Sequence, residues 1–141
     1  MPRTLTILLA LAAMLLLVPD ADALNSRQRN KLEQAQSVFA SAVRWSDYEA
    51  AWQMVDPEVR DAKPMTDLEL ARYHQLQVTG YREGGTSSLP DGSITRDIEI
   101  GVINRHTQTE RHIRWRERWR WDEQGKRWWQ MAGLPDFWGG E

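Results

Sequence analysis

The chain has 141 residues, with 18 basic and 20 acidic side chains, a formal net charge of −2, eight tryptophans and no cysteine. Near-neutral charge singles out no polyanionic partner. The missing cysteines exclude disulfides, thiolate metal sites and thiol catalysis.

The N-terminus has three parts. Arg3 precedes an apolar run over residues 5–18, Pro19 and Asp20 close it, and Ala21-Asp22-Ala23 follows as a small-x-small exit. This is the pattern of a secretory signal peptide, with cleavage expected after Ala23. The run is shorter than the roughly 20 residues that cross a bilayer, and no cysteine stands at the cut site for lipidation. The expected product is a periplasmic or secreted domain over residues 24–141, with no integral membrane segment. Losing Arg3, Asp20 and Asp22 leaves it 17 basic and 18 acidic residues. A domain of this size can bury about two-thirds of its unfolded surface, and without staples its stability falls to the tryptophan-rich core.

The first half reads as helix. From Ser26 to Trp45, residues Leu32, Ala35, Phe39, Ala42 and Val43 recur at helical spacing. Ser46-Asp47-Tyr48-Glu49 has the form of a capping box, opening a second helix with Tyr48, Ala51, Trp52 and Val55 inward. Asp56-Pro57 places proline at a first helical position. Thr66-Asp67-Leu68-Glu69 is a further capping box, predicting a brief helix to about Arg72.

The second half switches to a period of two, predicting strands over residues 73–83, 93–106, 109–122 and 126–132, with a long loop over 84–92. A two-residue turn at Thr107-Gln108 would set Val102 against Ile113, Ile100 against Trp115 and Ile94 against Trp121. On the other face, Glu99 would meet Arg116 and Asp97 would meet Arg118. A three-residue loop with Gly125 left-handed would set Trp119 against Trp129 and Trp128 beside Arg120. The C-terminal segment should lay Phe137 and Trp138 over one end of the core.

This order of elements, with Ser46-Asp-Tyr-Glu-Ala-Ala-Trp52 and Asp122-Glu-Gln-Gly-Lys-Arg-Trp-Trp129, resembles the nuclear-transport-factor-2-like superfamily. The resemblance implies an α+β fold in which a curled, mostly antiparallel sheet of four to five strands wraps the N-terminal helices as a cone, often with a pocket at its open end. It also implies a possible homodimer through the outer sheet face. A cystatin-like sheet on one helix is the alternative. Members include isomerases, dehydratases, hydrolases and binding modules, so fold alone assigns no activity. The Tyr and Asp constellation of the ketosteroid-isomerase-like members has no counterpart that can be placed in this sequence.

Glu117 shares its parity with Ile113, Trp115, Trp119 and Trp121 and so points into the apolar face, where an unpaired carboxylate is prohibitively costly. Arg96 lies on the same face as its natural partner. An Arg96–Glu117 salt bridge closing one end of the core, or a bulge that turns Glu117 outward, is the plain reading; a ligand or catalytic site is the functional one. If Leu76 and Val78 mark the buried side of the first strand, His74 faces inward too and makes an acid–base pair with Glu117. Tyr48 and Tyr73 are core fillers or pocket hydroxyls. His106 and His112 flank a turn without a carboxylate at ligand spacing, a weak metal signal. No glycine loop for phosphates, nucleophile elbow or HExxH helix occurs, and no cofactor is expected. The basic, aromatic run Arg111–Trp121 divides its two residue types between opposite sheet faces, which argues against nucleic acid.

Three functions follow as expectations. The leading one is a non-enzymatic binding or accessory module with a Trp-lined apolar site, built from Glu117, Arg96, Trp115, Trp119, Tyr48 and Trp52, for a small apolar ligand or a partner segment. The others are a small isomerase or hydrolase using Glu117, His74 and Arg96, and a binder of anionic envelope surfaces through the outer arginines.

Overall fold

A computed structural model describes residues 24–139; the signal peptide read from residues 1–23 lies outside the described residues. Among the described residues four helices precede the sheet: α1 (Ser26–Arg44), α2 (Tyr48–Gln53), α3 (Pro57–Ala62) and α4 (Asp67–Tyr73). Strands β1 (Leu76–Ser88), β2 (Ile94–Asn104), β3 (Glu110–Asp122) and β4 (Arg127–Gln130) follow. They form one antiparallel sheet in the order β1-β2-β3-β4. The chain is therefore α+β. No described helix is long and apolar enough to cross a membrane.

Local chemistry sets the helix ends. Asn25 closes a capping box with Gln28 at the start of α1, and Thr66 closes one with Glu69 at the start of α4. Asp47, not Ser46, caps α2, accepting from the Ala50 N–H at 3.2 Å while Ser46 takes a left-handed φ of 59°. Asp56 caps α3, where Pro57 holds the first position.

α1 lies on one sheet face. Its Phe39 stacks on Trp115 at 6.0 Å and meets Trp119 edge-on at 5.8 Å, while the Trp128 indole donates to the Gln28 carbonyl at 2.9 Å. Phe39, Tyr48, Val43, Ile100, Trp119 and Phe137 are fully buried in a single apolar cluster. Phe137 closes it against Tyr48 and Tyr73.

The β2–β3 register differs from the expected one by two residues. Ile94 faces Trp119, Ile98 faces Trp115 and Ile100 faces Ile113, while Asp97 faces Arg116 and Glu99 faces Arg114. A shift of two keeps every side chain on its face and every acid opposite an arginine. The cause is a four-residue turn. The Asn104 N–H donates to the Thr109 carbonyl at 2.9 Å, the Asn104 side chain accepts from His106 and Thr107, and Gln108 supplies the left-handed residue.

At β3–β4 the difference is one residue, which reverses faces. Lys126 rather than Gly125 takes the positive φ, at 51°, and Asp122 pairs with Arg127. Trp128 therefore enters the core against Trp121, while Trp129 lies beside Arg120 on the outer face with the Arg127 guanidinium 3.6 Å over its ring.

Two bulges shape β1. Thr79 is an extra residue between the Val78–Val102 and Gly80–Gly101 pairs, and a second shift falls between Glu83 and Thr86. Thr79 needs Gly101 beneath it: a Cβ there would come within 2.5 Å of the threonine hydroxyl. Residues 84–88, expected in a loop, continue the strand.

The end of β4 is tied to the helices. Val55 bridges Gln130 in parallel, with Asp56 N–H to Gln130 O at 2.9 Å and Gln130 N–H to Met54 O at 3.0 Å. The Asp56 carboxylate, only 1% exposed, receives Arg120 at 2.5 Å and the Glu58 N–H at 2.9 Å. Burial opposes its charge, but these donors outweigh burial and hold its pKa below the usual carboxylate range. Asp56→Ala removes both a helix cap and this tie. It should lower urea-unfolding stability by about 1–3 kcal/mol; a loss under about 0.5 kcal/mol would refute the role.

Candidate functional site

Glu117 is fully buried at the centre of β3 and lies directly opposite Arg96. Arg96 grips it with two donors, Nε to Oε2 at 3.0 Å and Nη2 to Oε1 at 2.9 Å. The Trp119 indole donates to Oε2 at 2.7 Å, and the Tyr81 hydroxyl donates to Oε1 in a short hydrogen bond. Four donors thus meet the two oxygens of one carboxylate, and no described buried side-chain polar atom lacks a partner. Burial opposes the Arg96 charge, but its hydrogen bonds to Glu117 and their Coulomb attraction outweigh this and raise its pKa. Beyond Glu117, Arg96 reaches the half-exposed Glu83 at 3.2 Å.

Tyr81 is the member of this quartet absent from the sequence reading. Strict alternation from Leu76 and Val78 turns residue 81 outward; the Thr79 bulge turns it inward. Gly80, an isolated glycine inside a strand pattern, is the signal that could have found it.

His74 is not a partner of Glu117. It is the C-cap of α4, its N–H bonded to the Leu70 carbonyl at 3.1 Å, and the strand begins only at Leu76. Its half-exposed imidazole meets Glu49 at 3.5 Å and the edge of Tyr48 at 5.3 Å. Glu117 is thereby left without a titratable histidine beside it, and its carboxylate is fully engaged. General-base work through that pair has no geometry here.

Of the other residues singled out, Trp119 and Tyr48 pack in the sealed interior and Trp115 is half-buried against Phe39. The interior expected to hold a ligand is thus filled by protein side chains. His106 and His112 gather no metal cluster; among the described residues no group of three metal-ligating side chains occurs.

Trp52 has a different setting. With Val59, Met65, Tyr73, Leu134 and Trp138 it walls a cleft of about 370 Å3 between the helices and the C-terminal segment. Lys63, Glu69, Arg72 and Asp136 also line it. Tyr73 holds the C-terminal wall in place: its hydroxyl donates to the Pro135 carbonyl at 2.9 Å, and its ring meets Trp138 at 5.0 Å. Of this set the sequence singled out Trp52, Tyr73 and Trp138, but not their meeting in one cleft. The cleft exists because residues 132–138 fold back over α4, a contact that no periodicity encodes.

A second groove, about 620 Å3, crosses the sheet and is lined by Arg82, Asp97, Glu99, Arg114 and Arg116 among others. Its arginines are largely engaged: Arg82 with Glu99 at 2.7 Å and Arg116 with Asp97 at 2.7 Å. Further along this face, Arg118 holds Asp91 and Arg120 holds Asp56, each at 2.5 Å.

No protein-family model matches the chain, and no curated protein matches its sequence.

Proposed function

We propose that this chain is an exported, non-enzymatic binding module of the nuclear-transport-factor-2-like kind, whose ligand site is the cleft of Trp52, Met65, Tyr73 and Trp138. The signal-like leader supports export, and the order of helices before one antiparallel sheet supports the fold relationship. One observation carries the binding reading. The interior carboxylate is saturated by four donors, whereas this cleft keeps aromatic and aliphatic walls open at a volume suited to a small molecule. Apolar walls with few convergent polar groups are how ligand sites are built. The sheet groove is the poorer candidate, because two of its three arginines, Arg82 and Arg116, are paired with cross-strand carboxylates.

The test is saturable binding of a neutral apolar fluorophore, N-phenyl-1-naphthylamine, to the purified protein. Trp138→Ala and Trp52→Ala should each weaken it by roughly tenfold, the equivalent of about 1.4 kcal/mol, with unchanged circular dichroism. Absence of saturable binding, or variants that bind as tightly as the parent, would overturn the assignment.

A further inference from the structure

The cleft is not merely apolar. Four charged side chains line it, and they are not equally committed. Glu69 is used by the backbone: its Oε2 accepts from the Thr66 N–H at 3.1 Å to close the capping box of α4. Asp136 is used in the same way, its Oδ1 accepting from the Trp138 N–H at 3.0 Å. The two cations make no such commitment. Neither Lys63 nor Arg72 makes a side-chain hydrogen bond or an ion pair among the described residues. Arg72 instead lays its guanidinium 4.1 Å over the Trp138 ring. This cation–π contact takes up none of the guanidinium's N–H donors in a hydrogen bond, and that planar fork matches the two oxygens of a carboxylate.

Resting on the cleft assignment above, we infer that the ligand is an amphipathic organic acid. Its flat apolar body lies between the aromatic walls, and its carboxylate is held by the edge of Arg72 and the ammonium of Lys63. The contact with Trp138 holds the guanidinium at the cleft wall in advance, so less side-chain freedom is lost on binding. Both cations are exposed, so their attraction for the acid is screened by salt, whereas the apolar contact is not.

A matched pair of probes separates the two claims. At neutral pH and low salt, 1-naphthylacetate should bind the purified protein about tenfold more tightly than 1-naphthylacetamide, which has the same ring and no charge. Arg72→Gln and Lys63→Gln should each erode that preference and together abolish it, the acid losing about tenfold more affinity than the amide; high salt should likewise erase the preference. Both residues lie on the surface away from the core, so these variants are expected to fold, checked by circular dichroism. Equal binding of acid and amide by the parent protein would overturn the acid preference while leaving the cleft assignment standing. Binding of neither probe would overturn both. A preference that survives the double substitution would show that other residues read the carboxylate, and the Arg72–Lys63 assignment would fall.

Discussion

Replacing Glu117 by alanine should cost this protein about 3–5 kcal/mol of folding stability, a large part of the roughly 5–15 kcal/mol that a domain of this kind possesses. Arg96 would keep a side chain only 7% exposed, with Glu83 at 3.2 Å as its one remaining carboxylate among the described residues. The Tyr81 hydroxyl and the Trp119 indole would lose their acceptor in the same step. Arg96→Met should be at least as damaging, since it strands a carboxylate with no exposure at all. The energetic lesson lies in the double variant. Arg96→Met/Glu117→Leu removes both charges, so its loss should be smaller than the sum of the single losses by about 2 kcal/mol or more. Urea denaturation of the four proteins closes the cycle. Single losses below about 1 kcal/mol, or strict additivity in the double variant, would show that the pair is not a mutually dependent buried unit.

The inward carboxylate was legible in the sequence because strand parity is robust. Glu117 alternates with Trp115 and Trp119, and no turn geometry that shifts a register by two residues alters the face it occupies. Arg96 was legible for the same reason. What sequence could not supply is the count of residues in each turn. A hydrogen-bonded Asn104 lengthened one turn and moved every β2–β3 pair by two. A left-handed Lys126 lengthened the other and exchanged Trp128 for Trp129 in the core. His74 was misplaced because helix and strand patterns overlap at an element junction. Leu76 and Val78 carry a period of two, but α4 retains the backbone until the His74 N–H has found the Leu70 carbonyl. The cleft was legible only in pieces, as Trp52, Tyr73 and Trp138 taken separately, because it joins residues near 60 to residues near 135 through a folded-back segment. Such long-range contacts leave no local signature, whereas capping boxes and bulge glycines do.

The tyrosines provide the second large effect, at alkaline pH. The chain has three of them, Tyr48, Tyr73 and Tyr81, and all three have raised pKa values. For Tyr81 burial is the leading cause, followed by the negative charge of Glu117 and the hydrogen bond to it. For Tyr73 burial is joined by the charge of Asp136, and for Tyr48 burial outweighs the hydrogen bond with Ser46. An unfolded chain releases these protons near pH ~10; the folded chain keeps them. The stabilising contribution is therefore complete below pH ~10 and is lost as pH rises through the higher folded values. With the Tyr73 and Tyr81 protons retained only by the folded state, the slope approaches a loss of about 3 kcal/mol per pH unit, to which Tyr48 adds in the same direction. A protein at the lower end of ordinary stability, about 5 kcal/mol, would unfold about 2 units above that point. Tyrosinate absorbance and tryptophan fluorescence followed together should show phenol ionisation and unfolding as one steep transition. Tyr81→Phe should make that transition shallower by one proton while leaving Glu117 its bonds from Arg96 and Trp119. Phenols that ionise independently near pH ~10 with the tryptophan emission unchanged would show instead that the quartet and the Tyr48–Tyr73–Phe137 cluster are open to water.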